Sequence, residues 1–215
     1  MVDFHRFVDR RTAGRILAGR LLGYAGNPNV VVLALPRGGV PVAYEVARAL
    51  RAPLDVFVVR KLGYPGHEEL AMGAIASGGT IVVDPTLASS LSPEQLDTVA
   101  RRELAELRRR EQAYRNGRRP VDVGGKTIIV VDDGLATGAS MQAAVRALRK
   151  LDVERIVVAI PVASRQAIES LRPEVDDVVA VSVPEVFYAV GAHYEDFSQT
   201  TDGEVRELLQ SAAAA

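Results

Sequence analysis

TIIVVDDGLATGAS, Thr127 to Ser140, is the stretch whose reading decides the fold. Its first five residues, Thr127 to Val131, are β-branched and apolar apart from the threonine hydroxyl. Such a run suits a strand buried on both faces of a parallel sheet. Asp132 and Asp133 follow at its C-terminal end, then Gly134 and Gly138 with Thr137 and Ser140. Met141, Ala144, Val145, Leu148 and Leu151 recur at helical spacing, which predicts a helix opening straight after the loop with one face on the sheet. Open α/β sheets bind ligands beyond the carboxyl ends of their strands. The loop therefore falls where a site is expected.

Its chemistry follows from that placement. Glycines let the backbone turn tightly and bring bare N–H groups to one point. The helix start adds free N–H groups and the positive end of its dipole. With the hydroxyls of Thr137 and Ser140 this makes a cradle for a phosphate dianion. The two carboxylates would repel a phosphate, so they suit hydrogen-bond donors such as sugar hydroxyls, or a hydrated Mg²⁺. A phosphate at one end and a diol at the other describe a phosphorylated ribose. No Gly-Lys-Ser/Thr triplet is present, so this is not a Walker loop.

The apolar strand, Asp132-Asp133 and Ala136-Thr137-Gly138-Ala139-Ser140 together resemble the phosphoribosyl-pyrophosphate (PRPP) signature of the type I phosphoribosyltransferases. The opening DFHRFVDR-x-x-AGR-x-LA looks most like a group of bacterial phosphoribosyltransferases of unassigned acceptor. The resemblance runs from about residue 30 to 199, less a helical insertion. It implies an α/β fold: a Rossmann-like core with a parallel sheet, the insertion at about 85–120, and a small C-terminal hood at about 183–201, in a single domain. It also implies Mg²⁺-dependent displacement of pyrophosphate from C1 of PRPP by a nitrogenous acceptor, a nucleobase being the first expectation. Asp132 and Asp133 would hold the ribose hydroxyls directly or through the waters of the metal. Gly134, Leu135, Ala136, Thr137, Gly138, Ala139 and Ser140 would line the PRPP phosphate end.

Length and composition agree with this reading. A chain of 215 residues can form one domain with a modest insertion. Cysteine is absent, which excludes disulfides and thiolate zinc sites. No apolar run approaches the ~20 residues of a membrane span and no signal-peptide pattern opens the chain, so a cytoplasmic location and no membrane partner are expected. The net charge of −1 gives no global pull toward nucleic acid. His5, His67 and His193 have no metal-ligand spacing. The expected partners are PRPP and a small acceptor, and a homodimer is allowed.

The rest of the chain places further candidates. In the N-terminal stretch Asp9 is a predicted helix N-cap, with Ile16, Leu17, Leu21 and Leu22 at helical spacing; no chemistry is assigned there. Val30 to Leu35 reads as a buried strand ending in Pro36-Arg37-Gly38-Gly39, a second anion site on the same sheet edge. It resembles the family's pyrophosphate loop, so Arg37, Gly38 and Gly39 are assigned to the leaving group. Leu54 to Arg60 reads as a third strand, with Lys61 the candidate to reach the pyrophosphate and Arg60 the second choice. Gly63 to Gly79 is read as the mobile loop or hairpin that closes over the reacting centre. Hypoxanthine-guanine enzymes carry an Asp where this chain has Ala136; adenine enzymes carry Ala and use a loop Glu, so Glu68 or Glu69 is the candidate base.

Thr80 to Asp84 reads as a short strand. Ser92-Pro93-Glu94-Gln95 is a helix start with a capping box, and the helix runs to about Asn116-Gly117. Its cluster Arg108-Arg109-Arg110 with Arg115, Arg118 and Arg119 reads first as a solvated face and second as a polyanion contact. Arg155 to Ile160 and Val178 to Val183 complete the strands. VPEVFYAVGAHYEDFSQ, Val183 to Gln199, resembles the hood of purine phosphoribosyltransferases; Phe187 and then Tyr188 are the candidates to stack on the acceptor base. The final Ala212 to Ala215 are expected to fray. A second reading of the chain is a PRPP- or nucleotide-sensing binding protein on the same fold.

Overall fold

The structure, a computed structural model, describes residues 6–214. In chain order the elements are α1 (Arg10–Gly19), β1 (Val30–Ala34), α2 (Gly39–Leu50), β2 (Leu54–Val56), β3 (Val59–Tyr64), β4 (His67–Ala76), β5 (Thr80–Val83), α3 (Pro85–Ala88), α4 (Pro93–Arg115), β6 (Thr127–Val131), α5 (Ala139–Leu148), β7 (Arg155–Val162), α6 (Arg165–Leu171), β8 (Asp177–Ser182) and α7 (Asp202–Ala213). Five parallel strands form the main sheet in the order β2-β1-β6-β7-β8, and β3-β4-β5 form a separate antiparallel sheet. This is the α/β architecture that the buried β-branched runs predict, because strands covered on both faces need apolar residues on both.

Successive residues of each central strand serve opposite cores. Val30, Val32, Ala34, Ile129 and Val131 face α1, α2, α4 and α7. Val31, Leu33, Ile128 and Val130 face α5 and α6. Ala34 pairs with Val131, so β1 and β6 end level and their loops leave side by side.

α1 is capped by Asp9, whose carboxylate accepts from the Thr12 N–H at 2.6 Å. It packs on α2 through Gly14, where a Cβ would meet the Val42 carbonyl at 2.6 Å. The buried Glu45 of α2 takes Arg11 and Arg48, each at 2.7 Å. α1 is thus fixed to α2, and through it to the end of β1.

Two expectations are corrected here. The run from Leu54 to Arg60 is two strands, not one. Phe57 still donates to the Ala34 carbonyl of the main sheet, whereas the Val58 N–H and carbonyl are both taken by Ser77. The change of sheet occurs inside an apolar run with no Gly or Pro to mark it. The Gly63–Gly79 segment, expected as a mobile loop or hairpin, is a hairpin in which β4 has ten residues. The C-terminal alanines do not fray from Ala212: α7 runs to Ala213 and Ala212 packs on the core. Thr201 caps α7, and Val205 and Leu209 are buried at helical spacing, a pattern of the same kind as those read elsewhere.

α4 has the predicted capping box at Ser92 and Gln95. Its basic cluster is not one solvated face. Arg115 is buried: its Nε lies 3.0 Å from both Asp55 oxygens, Nη1 donates to Glu111 at 2.9 Å and Nη2 to the Val56 carbonyl at 3.0 Å. Arg60 of β3 is bound to the buried Glu103 of α4 at 2.6 Å. Removing one partner of a buried pair leaves an uncompensated charge. Arg115→Ala should therefore lower the unfolding free energy by about 3–5 kcal/mol, read as a shift of the urea midpoint; a loss below about 1 kcal/mol would be the signature of a surface pair.

Candidate functional site

Two loops meet at the carboxyl ends of β1 and β6. The β1 loop, Leu35 to Gly38, leads into α2, and its Pro36–Arg37 peptide is cis. Gly39 donates to the Leu35 carbonyl and Val40 to that of Arg37. The N–H groups of Arg37 and Gly38 have no acceptor among the described residues. The loop lies against the acidic pair at contact distance. A Cβ on Gly38 would overlap the Asp133 carboxylate, and one on Gly39 would lie 2.7 Å from the Val131 carbonyl. Glycine is needed here for close approach.

The β6 loop divides into an anchored and an open part. Leu135 is buried, its N–H donates to the Val162 carbonyl and its own carbonyl accepts from Ser164. Its amide is therefore spent on β7, which removes it from the expected phosphate donors. Beyond it Ala136, Thr137, Ala139 and Ser140 are exposed. The N–H groups of Ala136, Thr137 and Gly138 have no acceptor among the described residues. Gly138 has φ 75° and serves as the N-cap of α5 without a side-chain bond. The turn is open and lined by amides, as an anion requires.

Between the loops lie the two acids, both half-buried. Asp132 Oδ1 accepts from the Asp133 N–H at 2.8 Å. Asp132 Oδ2 is bonded to no described residue and is open to water, since His193 Nε2 is the sealed, unpartnered side-chain atom among the described residues. Asp133 Oδ2 accepts from Arg10 Nε at 2.8 Å, and the Asp133 side chain keeps 14% exposure. Burial, and then the neighbouring Asp133 carboxylate, push the Asp132 carboxyl well above its ordinary value. Burial also raises Asp133, with Arg10 opposing the shift.

Arg10 is a site residue that the sequence reading left without a role. Its guanidinium lies 3.9 Å over the Phe197 ring and donates to the Ser198 carbonyl at 2.7 Å. Tyr194 joins it, its hydroxyl donating to the Asp133 carbonyl at 2.6 Å, with a phenol raised by burial. The segment after β8 thus closes over the acidic pair. Residues 7 and 8 hold it there, through Phe7 N–H to the His193 carbonyl and Asp196 N–H to that of Val8. The one signal in the sequence was that Arg10 falls within the opening pattern DFHRFVDR.

The chain belongs to the phosphoribosyl transferase domain family. The family profile of the phosphoribosyl transferase domain matches residues 10–195, which include Arg10, both loops and Tyr194. Two Mycobacterium tuberculosis proteins, "Putative phosphoribosyl transferase MT0597" and "Putative phosphoribosyl transferase Rv0571c", are each 45% identical over 208 residues. That match takes in 96% of this chain and 47% of each relative, so the chain spans about half the length of the curated relatives it matches. The crystal structure of TT1426 from Thermus thermophilus is 46% identical, covers 96% of this chain and 98% of its own, and superposes with a TM-score of 0.86. A hypothetical Neisseria gonorrhoeae protein with bound ppGpp shares the fold at 15% identity and a TM-score of 0.53, covering 97% and 95% of the two chains.

The other predicted phosphoribosyltransferase residues are dispersed around this centre. Lys61 is exposed on β3 and lines, with Ala139, Ser140 and Arg146, a cleft of about 580 Å³ between the hairpin sheet and α5. Glu68 is exposed on β4 and bound to Arg102 of α4 at 3.2 Å. Phe187 is half-buried and stacked on His193, with ring centres 5.4 Å apart. Tyr188 is 87% exposed. No helix among the described residues is long and apolar enough to cross a membrane.

The donors present fit a substrate-borne Mg²⁺ better than a resident one. Among the described residues no group of three or more His, Cys, Asp or Glu could hold a metal. Two crowded carboxylates with one open oxygen suit an ion that arrives with substrate phosphates and keeps several waters.

The raised Asp132 sets a pH-dependent cost. Between the ordinary carboxylate value and the raised one, the folded chain keeps a proton that the unfolded chain releases. Stability therefore falls as pH rises through that window. Asp132→Asn removes the slope. Its melting temperature should exceed the wild type's at pH 7, by about 2–4 °C for each kcal/mol released in a domain of this size, and the gap should close below pH ~4. A gap independent of pH would contradict the assignment.

Proposed function

We propose that this chain transfers the 5-phosphoribosyl group from PRPP to a nitrogenous acceptor, a nucleobase being the first choice, with release of pyrophosphate. The observation that carries the reading is the pairing of two amide-lined loops with a carboxylate pair between them, on adjacent parallel strands. One loop suits each phosphorylated end of the substrate, and the acids suit the hydroxyls between.

In this mechanism the open amides of Ala136, Thr137 and Gly138, with Gly134, Ala139 and Ser140 around them, hold the 5-phosphate. The open Asp132 oxygen and the free side of Asp133 accept from the ribose hydroxyls. Arg10 keeps Asp133 oriented and limits the repulsion between the two acids. The acceptor nitrogen donates its lone pair to C1 while the C1–O bond to pyrophosphate breaks and the leaving group takes that electron pair. Arg37, its loop amides and Lys61 stabilise the charge that builds there. Asp132 and Asp133 would hold Mg²⁺, and the ion would supply neutralisation of the charge on the diphosphate. Glu68 or Glu69 takes the acceptor's proton; for Glu68 this requires release from Arg102. Phe187, with Tyr188 beside it, presents the aromatic surface for the acceptor. Most of the catalytic effect is positioning and charge stabilisation. The setting we infer is a cytoplasmic salvage-type reaction.

With PRPP, Mg²⁺ and a panel of bases, pyrophosphate release should appear with at least one acceptor. Absence of turnover with every base, together with tight PRPP or nucleotide binding, would favour a sensor on the same fold. Asp132→Asn with Asp133→Asn should weaken PRPP binding about 100-fold, the loss of two charge-assisted contacts; calorimetry showing unchanged affinity would remove the ribose assignment. Phe187→Ala should raise the acceptor's KM by up to about tenfold and leave that of PRPP nearly unchanged. Equal effects on the two would exclude a stacking role.

A further inference from the structure

The helical insertion and the β1 loop share a small basic cleft. Arg37 from the loop, Arg109, Arg110, Ala113 and Tyr114 from α4, and Asp202 at the start of α7 enclose about 160 Å³. That is well below the volume of a site for a whole drug-sized ligand, so it suits part of one. Three arginines converge from two elements that are 72 residues or more apart in sequence. Their charges are only partly matched. Glu106 takes Arg109 Nε and Nη2 at 2.7 and 2.9 Å and Arg110 Nε at 2.8 Å. Arg109 Nη1 and both terminal nitrogens of Arg110 have no acceptor among the described residues. Asp202 lies 3.6 Å from Arg37 Nη1 and accepts from the Tyr114 hydroxyl at 3.3 Å.

Arg37 is one residue from Gly38, which touches the Asp133 carboxylate. The cleft therefore begins where the acidic pair ends. We propose that Arg109 and Arg110 of the insertion form the second wall of the diphosphate subsite, opposite Arg37, and that Asp202 is a placeholder that the diphosphate displaces. The proposal rests on the PRPP reading above and adds two positioning residues to it. Guanidinium forks match phosphate oxygens bidentately. Glu106 engages one edge of each α4 guanidinium and leaves Arg109 Nη1 and the two terminal nitrogens of Arg110 as donors for phosphate oxygens. A carboxylate on Arg37 is a weak stand-in for a more highly charged diphosphate. The insertion thereby links leaving-group binding to the packing of α4 on α7.

The test is calorimetry in Mg²⁺ with three ligands: inorganic pyrophosphate, PRPP and ribose 5-phosphate, which lacks the diphosphate. Arg109→Gln with Arg110→Gln should weaken pyrophosphate and PRPP by about tenfold or more and leave ribose 5-phosphate unchanged. Asp202→Asn should act in the opposite direction and tighten pyrophosphate several-fold, which damage to the fold would not do. Unchanged pyrophosphate binding in the arginine variant, or an equal loss for ribose 5-phosphate, overturns the proposal while the PRPP reading stands. So does unchanged or weaker pyrophosphate binding in Asp202→Asn. A wild-type chain that binds neither pyrophosphate nor PRPP removes both.

Discussion

The contact between Gly38-Gly39 and Asp132-Asp133 is the constraint on which the rest of the site depends. β1 and β6 are adjacent, parallel and level at their ends, so the loops that leave them must cross at van der Waals distance. Only residues without a Cβ fit on the β1 side. The same crowding half-buries two like charges and raises both carboxyls. An isolated pair of this kind would be costly. Arg10 offsets part of that cost from a helix that Glu45 and Gly14 lock to α2. The crowding is therefore concentrated at the atoms proposed to meet the sugar, and a cation or hydroxyl donors would relieve it. A site of this sort trades stability for readiness to bind.

α4 has two roles on two faces. Glu103 and Arg115 turn inward and fasten Arg60, Asp55 and the Val56 carbonyl. These contacts tie the antiparallel sheet and the edge strand β2 to one helix. Arg109 and Arg110 turn toward the β1 loop. The same helix thus fixes the hairpin and frames the basic cleft. Glu68, on the hairpin, is bound to that helix as well.

The segment after β8 closes the site from the other side. Phe7, Tyr194 and Phe197 form a chain of ring contacts, with Arg10 over the last ring. Gly134 allows the segment to approach, since a Cβ there would meet Val190 at 2.5 Å. Burial lowers the pKa of His193, whose ring stacks on Phe187. Tyr188 is the large aromatic side chain that projects into solvent at the same place.

The sequence by itself determined the local units. The β-branched run Thr127–Val131, the glycines after it, the Asp9 cap and the Ser92–Gln95 capping box were legible because each depends on residues a few positions apart. The α/β class and the placing of both glycine loops at strand ends followed from them. Tertiary structure alone decided which charges meet. Arg10 and Asp133 are 123 positions apart, and Arg115 and Asp55 are 60 apart. Arg115 and Arg109 look alike in the sequence, yet one is sealed against Asp55 and the other is exposed and bound to Glu106. The division of Leu54–Arg60 between two sheets was equally hidden, because nothing in its side chains marks the turn. Periodicity and capping act along the chain over one or two turns, whereas ion pairing and desolvation depend on distances that only the packing of α1, α4 and α7 around the sheet creates.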